Sequence, residues 1–367
     1  MQHVNIYREE GRFAGWPANY GIWAWGDEIV LGFTVGYQNP DGGFHARDKT
    51  QRFVATQARS RDGGESWQLE GTPWPTPGDR GVLSADEHVE ARLSAADAIA
   101  SDLANQPAPC PGDVDFTDPD FALMCARTGL GTGTVSWFYL STDRCRTWRG
   151  PYALPMFGQA GIEARTDYLV SGPKELTLFL SASRADGGEG AGILAARTHD
   201  GGRTFAMLAW AAQLDNGYVI MPSSVRLSPT ELRTAVRCRE GGRGFEQARC
   251  WIDLFASSDD GHSFQHLATP VPDSGRGGNP PALITLADGR LCLTYGYRAQ
   301  PFGIRARLSE DGGATWGDEI ILRDDAGNHD LGYPRSVQRA DGAVVTAYYF
   351  NDRADGERYV AATIWTP

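Results

Sequence analysis

Hydrolysis of a glycosidic bond asks for two acidic groups on opposite sides of the scissile bond. Candidates stand in separate loops of this chain. Asp48 lies in a long polar stretch, Gln38 to Gln51, beside His45, Arg47 and Lys49, and Asp118 lies in Asp115-Phe116-Thr117-Asp118-Pro119-Asp120. Arg12, Arg165, Arg184, Arg237, Arg239, Arg298, Arg335 and Arg353 occupy comparable segments, together with Glu163, Asp167, Asn328, His329, Asp330 and Tyr333. A guanidinium fork pairs with carboxylates through two parallel hydrogen bonds, so arginines gathered in a net-acidic protein favour an anionic ligand. Trp16 and Trp23 have the flat faces that stack on sugar rings, although core packing is the commoner fate of a tryptophan. Each feature also has a plainer reading: Asp before Pro is an ordinary turn former, and single arginines are often solvated loop residues.

These residues act together only if the fold brings their loops to one end, and a repeated turn shows how. Ser60 to Trp67, Ser141 to Trp148, Thr198 to Phe205, Ser257 to Phe264 and Ser309 to Trp316 share one pattern. It is Ser or Thr, then Asp two residues on, Gly or Cys two further, and a final Ser or Thr before Trp or Phe. Five chance matches are implausible. The Asp accepts backbone N–H bonds, the Gly takes a positive φ, and the aromatic returns to the core, which makes a hairpin turn with no chemistry of its own. The aspartates are 52 to 81 residues apart, about one propeller blade plus its loops. Steps such as Trp16-Pro17, Asp118-Pro119, Met221-Pro222, Pro280-Pro281 and Tyr333-Pro334 mark the entries of inner strands on this reading, since proline is tolerated at a strand's first residue. Antiparallel strands then place the inner-strand entries and the loops joining strands two and three at one end. The repeated turns lie at the other.

The repeated turn resembles the Asp box of the sialidase (neuraminidase) superfamily, and the resemblance covers nearly the whole chain. It implies an all-β, six-bladed propeller of four-stranded antiparallel blades. It also implies a site in which a tyrosine is the nucleophile of a retaining glycoside hydrolysis, an aspartate is the acid/base and arginines grip the carboxylate of the sugar. Carried over by position, Tyr333 in Gly332-Tyr333-Pro334-Arg335 is the nucleophile, Asp48 rather than Asp41 is the acid/base, and Arg237 (or Arg239) and Arg298 are two of the grips. Two landmarks are missing. The Arg of the family's Phe/Tyr-Arg-Ile-Pro segment is replaced by Gly15 in Ala14-Gly15-Trp16-Pro17, with Arg12 or Arg8 the nearest substitutes. The glutamate that activates the tyrosine has no counterpart in Val219-Ile220-Met221-Pro222-Ser223, which leaves Glu163 or His329 as stand-ins. An unassisted phenol, with a pKa of about 10, ionises poorly at neutral pH.

The 367 residues, with 45 Gly and 21 Pro, read as one propeller domain over 1–367, with an insertion at 75–115 between blades one and two. A helix is expected there, from a capping box at Ser84 to Glu87 up to about Asn105. The chain Tyr359 to Trp365 and the segment His3 to Tyr7 are expected to complete blade six and close the ring. A net charge of −12 argues against nucleic acid or an anionic membrane surface as partner. No apolar run is long enough to span a bilayer. Met1-Gln2-His3-Val4-Asn5 opens no signal peptide, so the chain reads as cytoplasmic unless a leader has been removed. The six cysteines, without CxxC spacing, read as buried free thiols. The histidines form no metal motif, and no cofactor is implied. The expected partner is a carbohydrate, and the oligomeric state is open. The functional reading is an exo-acting, sialidase-like glycoside hydrolase on a terminal acidic sugar. Its substrate contacts include Arg12, Trp16, His45, Arg165, Arg237, Arg298 and His329, with Glu163 and Asp118 as further catalytic candidates. A noncatalytic glycan-binding propeller and a polysaccharide lyase acting on uronic acids are the alternatives.

Overall fold

A computed structural model of the chain describes residues 1–81, 89–185, 190–214, 217–241 and 248–367. Among these residues the strands form six antiparallel sheets, the blades of a propeller. Blades four and five show the plain pattern. Tyr218–Arg226, Leu232–Glu240, Arg249–Ser257 and Gln265–Val271 follow one another outward, as do Ala282–Thr285, Leu291–Tyr297, Gly303–Ser309 and Ile320–Arg323. Blade six joins Gly332–Gln338, Val344–Phe350 and Tyr359–Trp365 to Gln2–Tyr7, so the ring is closed by the first strand pairing with the last, Gln2 opposite Ile364. The expected closure is present.

The repeated turns join the third and fourth strands of blades one to five. In Ser309 to Trp316 the Asp311 carboxylate accepts from Thr315 N (2.9 Å) and Thr315 Oγ1 (2.6 Å), while Ser309 Oγ accepts from Gly313 N at 2.8 Å. Gly313 has φ +97°, and a Cβ there would stand 2.4 Å from Leu254 of the preceding blade, so both backbone and packing demand glycine. Blade two meets the same geometry at a cost: Arg144 and Cys145 take φ 57° and 61°, and Cys145 N reaches Ser141 Oγ at 3.0 Å. Between blades the aromatic and aliphatic faces interlock. Phe13, Trp16 and Phe33 of blade one, for instance, pack on Val345, Tyr349 and Val360 of blade six.

Three sequence expectations need correction. Met221-Pro222 lies inside Tyr218–Arg226 and Tyr333-Pro334 just after the start of Gly332–Gln338, each at a slip of the pairing register (Ile220/Ser223 and Gly332/Arg335), whereas Trp16-Pro17 stands between Arg12–Gly15 and Gly21–Trp25 at a 3-10 turn; all three residues before proline take φ of 51–57°. Asp118-Pro119 opens the second-strand position of blade two, because Ala122–Arg127 is followed by Ser136–Ser141 and that blade's repeated turn. Among the described residues blade two has three strands, and its inner edge is met from blade three, with Cys125 N donating to Thr166 Oγ1 (3.0 Å) and Leu123 N to the Tyr168 hydroxyl (3.4 Å). In the 75–115 insertion the α-helix is short, Ala95–Ser101, capped by Ser94 Oγ accepting from Asp97 N at 3.0 Å. The expected capping box at Ser84 to Glu87 lies outside the described residues. All six cysteines are buried free thiols.

Candidate active site

Inner-strand bulges and second-strand ends converge at the face opposite the repeated turns, around a cavity of about 360 Å³. Blade one contributes Asn19 and, from the long loop, Gly42, Gly43, Phe44, His45, Arg47 and Lys49. Blades two and three contribute Arg127 and Arg165, blade four Tyr218, Ile220 and Arg237, and blade six Tyr333. The loop folds inward as a hairpin, with Asn39 N donating to Ala46 O (3.1 Å) and Gly42 N to Asn39 O (2.9 Å). Among the described lining residues none is Asp or Glu. The wall is cationic.

Tyr333 sits at its centre because its backbone is clamped. Asn279 Oδ1 accepts from Tyr333 N at 2.8 Å, Asn279 Nδ2 donates to Leu331 O at 3.0 Å, and Gly332 passes so close that a Cβ would lie 2.4 Å from the Asn279 amide. The Tyr333 hydroxyl accepts from Arg237 Nη1 at 3.1 Å. Burial opposes ionisation of this phenol, but the guanidinium groups of Arg237, Arg298 and Arg165 outweigh it and hold its pKa below the ordinary value. The Arg165 charge is itself disfavoured, by burial first and then by Arg127, and its Nε donates to Asn19 Oδ1 at 3.2 Å.

His45 is the imidazole on the wall. Its Nδ1 stands 2.6 Å from Asp330 Oδ1, and burial pushes its pKa down to about 4 in spite of that carboxylate. Asp330, 1% exposed, is bound by Arg358 Nε (2.9 Å), Ala46 N (3.0 Å) and the Tyr349 hydroxyl (2.8 Å). Against the penalty of burial, His45 and Arg358 hold it far below the ordinary carboxylate range.

With fold and cavity described, known proteins can be set beside the chain. The family model described as BNR repeat-like domain matches residues 121–346, more than half of the sequence. The chain belongs to the BNR repeat-like domain family. No curated protein matches it. Among solved structures, a protein of unknown function from Dyadobacter fermentans is 21% identical with a TM-score of 0.71, covering 99% of this chain and 97% of that one. The Hadza microbial sialidase Hz136 is 14% identical (TM-score 0.61; 97% and 66% covered). The α-L-arabinofuranosidase Arb93A from Fusarium graminearum is 13% identical (TM-score 0.57; 100% and 98% covered). At these identities the likeness is one of fold, a six-bladed β-propeller.

Within this BNR repeat-like propeller the expected site residues divide. His45, Arg165, Arg237 and Tyr333 line the cavity. Asp48 does not: its Oδ1 accepts from Thr50 N (2.9 Å) and Thr50 Oγ1 (2.7 Å), capping the loop's own turn. Asp118 lies at the opposite face, where Asp120 N donates to it at 2.8 Å and the adjoining Asp120 pairs with Arg144 of a repeated turn. Trp16 is fully buried between Phe13 and His45 and presents no face to a sugar. Arg12 stacks on Tyr37, 4.2 Å from the ring centre. Glu163 is buried under the wall, Oε1 accepting from Gly131 N (3.0 Å) and Ser183 Oγ (2.8 Å). His329 pins the loop instead of facing the cavity, its Nε2 donating to Phe44 O at 3.2 Å. Arg298 is buried, donating to Leu331 O, Gly278 O and the Tyr349 hydroxyl, so it acts on Tyr333 through its field rather than by gripping a ligand.

Both missing landmarks have physical replacements. A Cβ at Gly15 would meet Phe13 at 3.0 Å and Tyr349 at 3.4 Å, so aromatic packing fills the place of an arginine. Met221 is buried against Ala18 and Tyr218, with its sulfur 3.8 Å from Arg237 Nη1.

Proposed function

We propose that this propeller cleaves the glycosidic bond of a terminal acidic sugar, by retaining hydrolysis with Tyr333 as nucleophile. The observation that carries the reading is the Tyr333 hydroxyl, held 3.1 Å from Arg237 on a wall that also presents Arg127 and Arg165 and, among the described residues, no carboxylate. The arginines serve two ends. They pair with the carboxylate of an anionic sugar, and they lower the cost of negative charge on the phenol oxygen as it gives up its proton, before it bonds to the anomeric carbon. The cavity volume fits a ligand of one or two rings, in keeping with action at a chain end.

The test is turnover of 4-nitrophenyl glycosides bearing sialic, uronic or neutral sugars. One acidic sugar should be hydrolysed, and Tyr333→Phe should lower its kcat by at least ~100-fold. Asp48→Asn should stay within about threefold of the parent, because its carboxylate is outside the cavity. A fluorinated acidic glycosyl donor should leave its sugar on the peptide that contains Tyr333, read by mass. Binding of acidic glycans without turnover would make the chain a lectin-like propeller instead.

A second reading, β-elimination from a uronic acid, is favoured by one observation: the neutral His45 imidazole shares the wall with Tyr333, where no described residue is a carboxylic acid. It would give an unsaturated product absorbing in the near ultraviolet, whereas hydrolysis gives none.

A further inference from the structure

Resting on the hydrolytic reading above, we propose that Arg335 is a positioning residue. It ties the strand of Tyr333 to blades one and three, and so holds Arg165 where it receives the carboxylate of the sugar.

The tie is made by a single nitrogen. Arg335 Nη2 donates to Ala18 O of blade one at 2.8 Å and to Thr166 O of blade three at 2.5 Å. Ala18 belongs to the 3-10 turn Pro17–Asn19, and Thr166 to the break between Ile162–Glu163 and Tyr168–Gly172, so neither carbonyl lies in a strand. The neighbouring residue in each segment is the one that reaches the cavity wall, where Arg165 Nε donates to Asn19 Oδ1 at 3.2 Å. Arg335 thus fixes both members of that pair from the adjoining peptide groups.

Arg165 depends on such placement. It is 4% exposed, its Nε is taken by Asn19 and its Nη1 by Glu163 O (3.2 Å), while Nη2 has no partner among the described residues and is left for the cavity. A guanidinium held at two nitrogens cannot swing to follow a ligand, so its reach is set by where Asn19 and its own backbone stand.

The strand Gly332–Gln338 carries both Tyr333 and Arg335. A second cavity, of about 310 Å³, lies further along the inner strands and is lined by Thr166, Asp167, Ser224 and Arg335. Burial disfavours the Arg335 cation, and Asp167 is the first group that opposes this. Burial likewise raises Asp167 to about 6, with Arg335 the leading force the other way. Asp167 is fixed in turn by Ser224 N (3.0 Å) and Ser224 Oγ (2.7 Å) of blade four. The cation is therefore balanced where it stands. Removing it leaves the Ala18 and Thr166 carbonyls without their donor and frees both segments to shift. A displaced Arg165 holds the carboxylate less well in ground and transition state alike, which raises KM and spares kcat.

The experiment uses the 4-nitrophenyl acidic glycoside that the parent protein turns over. Arg335→Gln should raise its KM by ~10-fold, the scale of one weakened charge-assisted hydrogen bond, with kcat within about threefold. Arg335→Lys keeps a cation near Asp167 but loses the planar fork; it should show the same split, and it takes the place of Arg335→Gln if that variant does not fold. Arg165→Ala should raise KM by itself, and adding the Arg335 substitution should raise it little further, because Arg335 acts through Arg165. A merely structural role would give additive changes. Additivity, an unchanged KM in the folded variant, or a loss of kcat without a change in KM would overturn the positioning role and leave the hydrolytic reading standing. Failure of the parent to hydrolyse any acidic glycoside would overturn both.

Discussion

Tyr333 gains its acidity from charges that do not touch its hydroxyl as well as from the one that donates to it. Arg298 is enclosed by Leu331 O, Gly278 O and Tyr349, yet its field reaches the phenol. Replacing it by Gln should raise the Tyr333 pKa, because one of the charges that lowers it is gone, and an ultraviolet titration of tyrosinate against Tyr333→Phe would read the shift. No rise would mean that Arg237 and Arg165 suffice. Tyr333, Arg165 and Arg237 were legible in the sequence because position within a blade decides which residues reach the cavity. Arg127 was not, since Asp118-Pro119 was taken for an inner-strand entry. Once Ala122–Arg127 is known to be a second strand, Arg127 occupies the same strand end as Arg237. Asp330 as the partner of His45 was hidden for another reason. The two are 285 residues apart in sequence, and their meeting depends on how the blade-one loop folds over blade six.

At the scale of the elements, the repeated turns and the bulges do opposite work. The turns stitch the outer strands with carboxylates that accept several hydrogen bonds each, and the pKa values of Asp62, Asp143, Asp200, Asp259 and Asp311 are all lowered, Asp259 and Asp311 to about 2. A carboxylate whose folded pKa is depressed gives stability that is present above its unfolded value and lost as pH falls through the folded one. The melting temperature should therefore drop between pH about 4 and about 2. Asp311→Asn should shrink that drop while lowering the melting temperature at neutral pH. An equal drop in the variant would show that the turns contribute nothing to it. The bulges hold Met221 and Tyr333 at positive φ, where strain is tolerated only if the surroundings enforce it. Asn279 does so for Tyr333.

For the whole molecule, the repeat spacing made five blades readable, and the sixth followed from the strand-like ends that remained. What spacing could not show was the missing inner strand of blade two. Thr166 and Tyr168 fill that edge with side chains, and side-chain hydrogen bonds carry no periodic signature. The closure predicts that deleting residues 2–7 exposes the edge of Tyr359–Trp365, lowers the melting temperature and promotes association through the bared edge. Light scattering and a thermal scan would check both, and a monomer of unchanged stability would contradict it.

That closure also orders events at the ribosome. Residues 2–7 are made long before their partner strand, Tyr359–Trp365, so all the blades between them must be synthesised before that segment finds its place. Until then five blades can assemble while the ring stays open and the loop carrying His45 has no Asp330 to hold it. The His45–Asp330 contact and the final strand pairing thus both wait for blade six, and a chain stalled before that blade carries much of the arginine wall without either.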